Sequence, residues 1–169
     1  MTNTHQPVGK QIYPVGKSES DHRTPEDLFN HLSYEVGGFD LDAAASDENH
    51  LVEHYFTLKD NSLFQPWQGV VWCNPPYNNA ALFMEKAVNE VNANRASIVW
   101  VLVPVRSCTK WFHEIIMPYA TEIRLIKGRL KFTGPNQKGA APFPSMLVRF
   151  GGEPAMPRIV AANKQGMVL

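Results

Sequence analysis

The sequence predicts an α/β protein of the doubly wound kind, with a mostly parallel central sheet and helices on both faces. Three stretches carry that prediction. Ala96-Ser97-Ile98-Val99-Trp100-Val101-Leu102-Val103-Pro104 is almost wholly apolar, as a strand buried on both sides must be. Val70-Val71-Trp72-Cys73 is short, β-branched and aromatic, and follows a glycine, so it reads as a second buried strand. Ala80 to Asn92 lies between them and repeats Leu82, Phe83, Ala87, Val88 and Val91 at helical spacing, the inner face of an amphipathic helix.

Composition sets the limits. At 169 residues the chain is one domain of ordinary size, able to bury a core. Hydrophobic residues are 44% and charged residues 19%, a globular rather than a disordered balance. No stretch approaches the roughly 20 apolar residues of a membrane span, and the polar N-terminus carries no signal segment. Cys73 and Cys108 have no paired spacing and read as reduced, buried thiols of a cytoplasmic protein. The net charge is zero, but it is unevenly spread: residues 1–105 hold 6 Lys+Arg against 13 Asp+Glu, and residues 106–169 hold 10 against 3. An acidic half suits a cationic cofactor and a basic half a phosphate backbone; plain surface solubility explains the split equally well.

In chain order, residues 1 to about 20 are polar without apolar periodicity and read as a mobile arm. A helix then starts, with Thr24 as N-cap, Pro25 at the first helical position and Asp27 at the third. Leu28, Phe29, Leu32 and Val36 form its apolar face, and Gly37-Gly38 end it. Thr24 and Pro25 also place a helix start where a cofactor carboxylate can be held. Phe39-Asp40-Leu41-Asp42-Ala43-Ala44-Ala45-Ser46 reads as a first strand ending in small residues, which let a cofactor approach the backbone. Asp42 is placed to face a cationic group there. Tyr55-Phe56-Thr57 reads as a short second strand. Asp60 precedes the Val70 strand by about ten residues; that is a place for an acid of a nucleobase pocket, and equally for a turn-forming Asp.

The Val70 strand runs into Asn74-Pro75-Pro76-Tyr77. Two prolines remove two backbone donors, so the strand stops, and Pro75 holds Asn74 extended. The stiff corner presents one amide, backbone carbonyls and one aromatic ring at the carboxyl end of a strand, where α/β sheets bind ligands. The Asn74 amide oxygen and the Pro75 carbonyl can each accept a hydrogen of an exocyclic amino group. Tyr77 can stack on a planar acceptor. Asn-Pro-Pro-Tyr resembles the catalytic tetrapeptide of the S-adenosylmethionine-dependent amino-methyltransferases.

Beyond the Ala96 strand, Arg106 to His113 opens another helix, through about Met117, with Pro118 ending it. Glu122-Ile123-Arg124-Leu125-Ile126 alternates as a strand, and Gly128-Arg129-Leu130-Lys131-Phe132 continues as an extended basic segment. Alternation puts Arg129 and Lys131 on one face and Leu130 and Phe132 on the other. Thr133 to Pro144 reads as a loop, Ser145 to Phe150 as the last strand, and residues 151–169 as a peripheral tail. Trp111 and Phe112 read as core. The six histidines have no ligand spacing, and no metal is expected.

Taken together, the order Thr24-Pro25, Phe39-Asp40-Leu41-Asp42-Ala43-Ala44-Ala45-Ser46, Lys59-Asp60-Asn61-Ser62-Leu63 and Trp72-Cys73-Asn74-Pro75-Pro76-Tyr77 resembles the phage-type DNA N-6-adenine-methyltransferases, the Dam-like family. Trp111-Phe112-His113, Gly128-Arg129-Leu130-Lys131-Phe132 and Ala141-Pro142-Phe143-Pro144-Ser145-Met146 extend the resemblance, which covers roughly residues 20 to 150. It implies a Rossmann-like methyltransferase domain over residues 21–150, S-adenosylmethionine as donor and adenine N6 in DNA as acceptor. It further implies a catalytic set of Asn74, Pro75, Pro76 and Tyr77. The implied donor contacts are Thr24, Pro25, Asp42, Ala43, Ala44, Ser46 and Asp60. A DNA substrate makes Arg106, Lys110, Arg129 and Lys131 candidates for phosphate or base contacts. The location implied is the bacterial host cytoplasm if the chain is phage-encoded. The F-x-G-x-G loop usual in methyltransferases is absent, and Asp42-Ala43-Ala44-Ala45 stands in its place. Transfer to protein glutamine or to RNA, and DNA binding without turnover, are the competing expectations.

Overall fold

A computed structural model describes residues 22–135, 139–156 and 158–169. The expected N-terminal arm lies outside them. One six-stranded sheet organises the chain, in the order β1-β2-β3-β5-β4-β6. Its strands are β1 (Leu41–Asp42), β2 (Gly69–Cys73), β3 (Ala96–Pro104), β4 (Ala120–Ile126), β5 (Ser145–Gly151) and β6 (Ile159–Ala162). β1 with β2, β2 with β3 and β4 with β6 pair in parallel. β5 runs antiparallel to both β3 and β4. The sheet is therefore mixed, and the expected mostly parallel arrangement is met only in part. Among the described residues between β4 and β5 no helix forms to cross a face of the sheet, and β5 returns between β3 and β4 in the opposite sense.

Two helices cover the two faces. On one, α2 (Ala80–Asn92) packs Phe83, Met84 and Ala87 on Val71, Cys73, Val99, Val101, Val103, Met146 and Val148. On the other, α1 (Glu26–Val36) packs Leu28, Phe29 and Leu32 on Trp72, Trp100, Leu102 and Leu147. The two residue sets alternate along β2, β3 and β5, as a pleated strand requires. Burial from both sides is why β3 tolerates almost no polar residue.

Several local expectations change. α1 begins at Glu26 with Pro25 as its N-cap residue, and no side chain caps it. The Thr24 hydroxyl instead meets Asn74, so a tertiary contact replaces the local cap. At the other end Gly37 adopts the left-handed conformation, φ 77°, and closes the helix as expected. Residues 54–56 run beside β1, with Asp42 N–H donating to His54 O and Phe56 N–H to Asp42 O, both at 3.0 Å. They form a bridge at Tyr55 rather than a second strand. The helix after Arg106 contains a π-helical turn, Phe112–Ile116, and runs through Pro118 to the end of α3 (Met117–Tyr119). Cys73 is buried, but Cys108 is exposed, because it lies in the turn beyond β3 rather than on it. The tail beyond Gly151 supplies edge strand β6. Arg124 holds that tail from within, donating to the Gly166 carbonyl at 2.8 Å while its guanidinium pairs with Glu122 at 2.6 Å and Glu35 at 2.8 Å.

A glycine is required at position 69 for backbone reasons. Gly69 has φ +76°, and a Cβ there would lie 2.2 Å from Asp40 Oδ2. That carboxylate accepts the Val70 N–H at 2.7 Å, so Gly69 admits the acid that seats the start of β2 beside β1.

Candidate active site

The carboxyl ends of β1 and β2 open into a cavity of about 380 Å³, within the range of small-molecule sites. Three stretches wall it: Asp42 to Ser46, Thr57 to Leu63 in part, and Asn74 to Asn79. The segment before α1 adds His22, Arg23 and Thr24.

The alanine run does what small residues allow. Asp42, Ala43, Ala44, Ala45 and Ser46 all line the cavity, so its surface there is nearly backbone. Ala43 N–H donates to the Trp72 carbonyl at 2.9 Å and Ala45 N–H to the Phe56 carbonyl at 2.9 Å. Opposite, Ser62 donates its hydroxyl to the Ala43 carbonyl at 2.5 Å and receives the Trp67 indole N–H at 3.1 Å. The loop carrying Ser62 is thus fastened to β1 through a buried tryptophan. Asp42 is 3% exposed and accepts N–H groups of Leu51 at 3.1 Å and Ala44 at 3.4 Å. Burial pushes its carboxyl up to about 6, against the opposing pull of those two N–H groups and of His50. A buried acid held near neutrality in a cavity wall is a natural counter-charge for a cationic ligand.

Asn74 stands at the corner between strand and cavity. Its Nδ2 donates to the His22 carbonyl at 2.6 Å and to Thr24 Oγ1 at 3.1 Å. Both amide hydrogens are therefore used. The amide cannot be turned over, since a flipped oxygen would face a carbonyl that has no hydrogen to give. Oδ1 is left buried with no hydrogen-bond partner among the described residues. The Tyr77 hydroxyl is likewise buried and unpartnered among the described residues, and burial raises its phenol well above the ordinary range. Aromatic rings surround Tyr77: His22 at 5.2 Å, Phe143 at 5.4 Å and Phe132 at 6.3 Å between centroids. Pro76 gives its carbonyl to Asn79 N–H at 2.9 Å, which turns the chain into α2. Unsatisfied buried acceptors cost about 1–3 kcal/mol each, so an acceptor left without a partner beside an aromatic ring in a cavity wall is a place for a hydrogen-bond donor.

The remaining expected residues fall in different places. Neither Pro25 nor Asp60 is among the residues that line the cavity; the Asp60 carboxylate accepts the N–H and the hydroxyl of Thr57, which does line it, both at 2.7 Å. Arg129 and Lys131 are exposed while Leu130 and Phe132 are buried, as alternation predicts. Lys110 pairs with Glu114 at 3.6 Å and borders a separate groove beside α2. Its helix packs on the α2 side of the sheet, whereas Leu130 and Phe132 pack on the α1 side. Arg106 is exposed beyond β3. His22, Arg23, Asn49 and Asn61 also line the cavity, and the sequence marks none of them as a binding residue. The antiparallel bridge of Arg23 to Thr133, at 3.0 Å in both directions, has no sequence signal.

No group of three or more His, Cys, Asp or Glu that could hold a metal occurs among the described residues. No helix among them is long and apolar enough to cross a membrane.

An α/β sheet with a small-molecule cavity and a held amide at the carboxyl ends of its strands defines a ligand-binding α/β protein. The chain belongs to the DNA N-6-adenine-methyltransferase (Dam) family, whose model matches residues 15–153. It is 32% identical over 128 residues to the DNA N-6-adenine-methyltransferase of Haemophilus phage HP1 (strain HP1c1), covering 70% of this chain and 69% of that protein. It is 36% identical over 93 residues to the protein of the same description from Escherichia phage T1. That match spans 54% of this chain and only 38% of the phage T1 protein.

Proposed function

We propose that this protein transfers a methyl group from S-adenosylmethionine to N6 of adenine in DNA. The observation that carries the reading is the buried, unpartnered Asn74 Oδ1 beside Tyr77 at the edge of a small-molecule cavity. In this reading the mixed sheet is that of a Rossmann-like methyltransferase, and residues 21–150 are its catalytic domain.

The cavity fits the donor. Its alanine wall admits close approach, its volume suits a small molecule, and Asp42 supplies buried negative charge for a cationic group. Asp42, Ala43, Ala44 and Ser46 would hold the donor. When bound, the donor supplies an activated methyl group on a cationic sulfur.

The chain's own residues handle the acceptor. N6 is paired inside a duplex, so the adenine must be turned out of the helix. Asn74 Oδ1 accepts one amino hydrogen and the Pro75 carbonyl the other, which aims the nitrogen lone pair out of the base plane. Tyr77, held among His22, Phe132 and Phe143, stacks on the base, and its rigid neighbours keep the ring in place. Pro76 shapes the corner. Because the methyl group is already activated, positioning supplies much of the rate and no strong general base is required. Arg129 and Lys131, on the exposed side of the segment that buries Phe132, are the cations best placed for backbone phosphates near this site. Arg106 and Lys110 would serve a more distant part of the strand.

Labelled methyl transfer to unmethylated plasmid DNA, compared with RNA and with protein, tests the reading. Label in DNA supports it. Label in RNA or protein alone would move the acceptor, and none in any would leave a binding protein.

A further inference from the structure

His22, Arg23 and Thr24, which precede the N-cap of α1, form a strap across the active-site corner. Arg23 is tied to Thr133 by two backbone hydrogen bonds of 3.0 Å. On either side of it, the His22 carbonyl and the Thr24 hydroxyl take the two hydrogens of Asn74 Nδ2, at 2.6 Å and 3.1 Å. Thr24 is 7% exposed, so water does not readily replace its hydroxyl. The His22 oxygen is a backbone carbonyl and accepts only.

We propose that Thr24 and the His22 carbonyl are positioning groups that lock the Asn74 amide with Oδ1 toward the acceptor, so that this chain requires Asn rather than Asp at position 74. This rests on the reading of Asn74 as the group that orients the acceptor amino nitrogen. An aspartate would set a negative oxygen against the His22 carbonyl at a separation where the native pair is a short hydrogen bond. The side chain would rotate away or bind a proton. Once protonated, the carboxyl regains one donor for the His22 oxygen and leaves its other oxygen for the acceptor. The strap also links the corner to the segment bearing Arg129, Lys131 and Phe132, because Thr133 anchors it. Donor binding needs none of these contacts to Nδ2.

The test measures kcat, the donor KM and the pH profile of methyl transfer to DNA for wild type, Thr24→Val, Thr24→Ser and Asn74→Asp. Misplacing a reacting group by a fraction of an ångström to an ångström costs roughly ten- to hundredfold in rate. Thr24→Val should lose about that much in kcat with donor KM unchanged, and Thr24→Ser should restore it. Asn74→Asp should be slow at neutral pH and recover relative to wild type as pH falls. Unchanged kcat in Thr24→Val overturns the proposal, as does a loss confined to donor affinity, which would make Thr24 a donor contact. If Thr24→Val does not fold, the Asn74→Asp profile decides alone: a ratio to wild type that is flat or rises with pH overturns the lock. Normal wild-type transfer with these outcomes removes only the lock. Failure of the wild type to methylate DNA removes the reading of the site along with it.

Discussion

Asn74 Nδ2 lies 2.6 Å from the carbonyl oxygen of His22, a residue 52 positions earlier in the chain. Because that oxygen can only accept, the contact decides which end of the amide is left without a partner. Asn74→Ala removes the amide and should abolish methyl transfer, by two or more orders of magnitude, while donor affinity stays near normal. Single-turnover transfer together with calorimetric titration of the donor separates the two. Near-normal turnover would remove Asn74 from the chemistry.

Asp42 predicts a pH dependence. Burial raises its carboxyl to about 6, so it is largely neutral below that pH and charged above it. A cationic donor favours the charged form. Binding below about pH 6 should therefore release one proton and weaken up to tenfold per pH unit. Asp42→Asn should flatten this dependence. The sign for the unliganded fold is opposite: its folded pKa is raised from 3.8 to about 6, so the native state holds the extra proton. Stability from this group, about 3 kcal/mol, is present below pH 4 and lost as pH rises through 6. Donor titrations and urea unfolding at pH 5 and pH 7.5, for wild type and Asp42→Asn, check both signs.

Arg129 and Lys131 share the exposed face of their segment. Arg129→Ala with Lys131→Ala should weaken DNA binding without changing donor affinity. For every phosphate these side chains neutralise, their removal should lower the salt slope by about 0.9 on duplex or about 0.7 on a single strand. Affinities across a salt series for wild type and double variant measure this. Equal slopes and affinities would show a solvated strand face, with the DNA elsewhere.

Glu90 gives a stability prediction remote from the corner. It is 1% exposed and binds Lys86 at 2.5 Å, Arg95 at 2.5 and 3.0 Å and the Trp67 N–H at 3.2 Å. Burial raises its carboxyl, but Arg95 and Lys86 outweigh that and hold it down at about 2. Glu90→Ala strands a buried N–H and a largely buried Lys86, and should cost roughly 3 kcal/mol. Thermal unfolding should show the loss, with donor affinity of the folded fraction unchanged.

How much of this was legible in the sequence depends on whether a contact is local. α2 follows from periodicity because it buries one repeating face, and β2 and β3 follow from unbroken apolar runs because both of their faces are covered. The Asn74 corner follows from two prolines, and the cavity wall from three alanines in a row. The antiparallel return of β5 was not legible, since a strand's direction is set by its connection rather than by its residues. Thr24 looked like a helix cap because Thr-Pro before a helix has that local use; its partner proved to be Asn74, 50 residues away. Asp60 fits a pocket or a turn by its sequence position, and its contact to the Thr57 backbone and hydroxyl is a local one. His22 and Arg23 act through backbone atoms, to which side-chain patterns are blind.

The central claim is that the Asn74 corner presents adenine N6 to the methyl donor. The most direct measurement is mass spectrometry of nucleosides from unmethylated plasmid DNA incubated with S-adenosylmethionine and either wild type or Asn74→Ala. The account predicts N6-methyldeoxyadenosine with wild type and none above background with the variant. Methylation at cytosine, no methylated base with wild type, or equal N6-methyldeoxyadenosine from both proteins would contradict it.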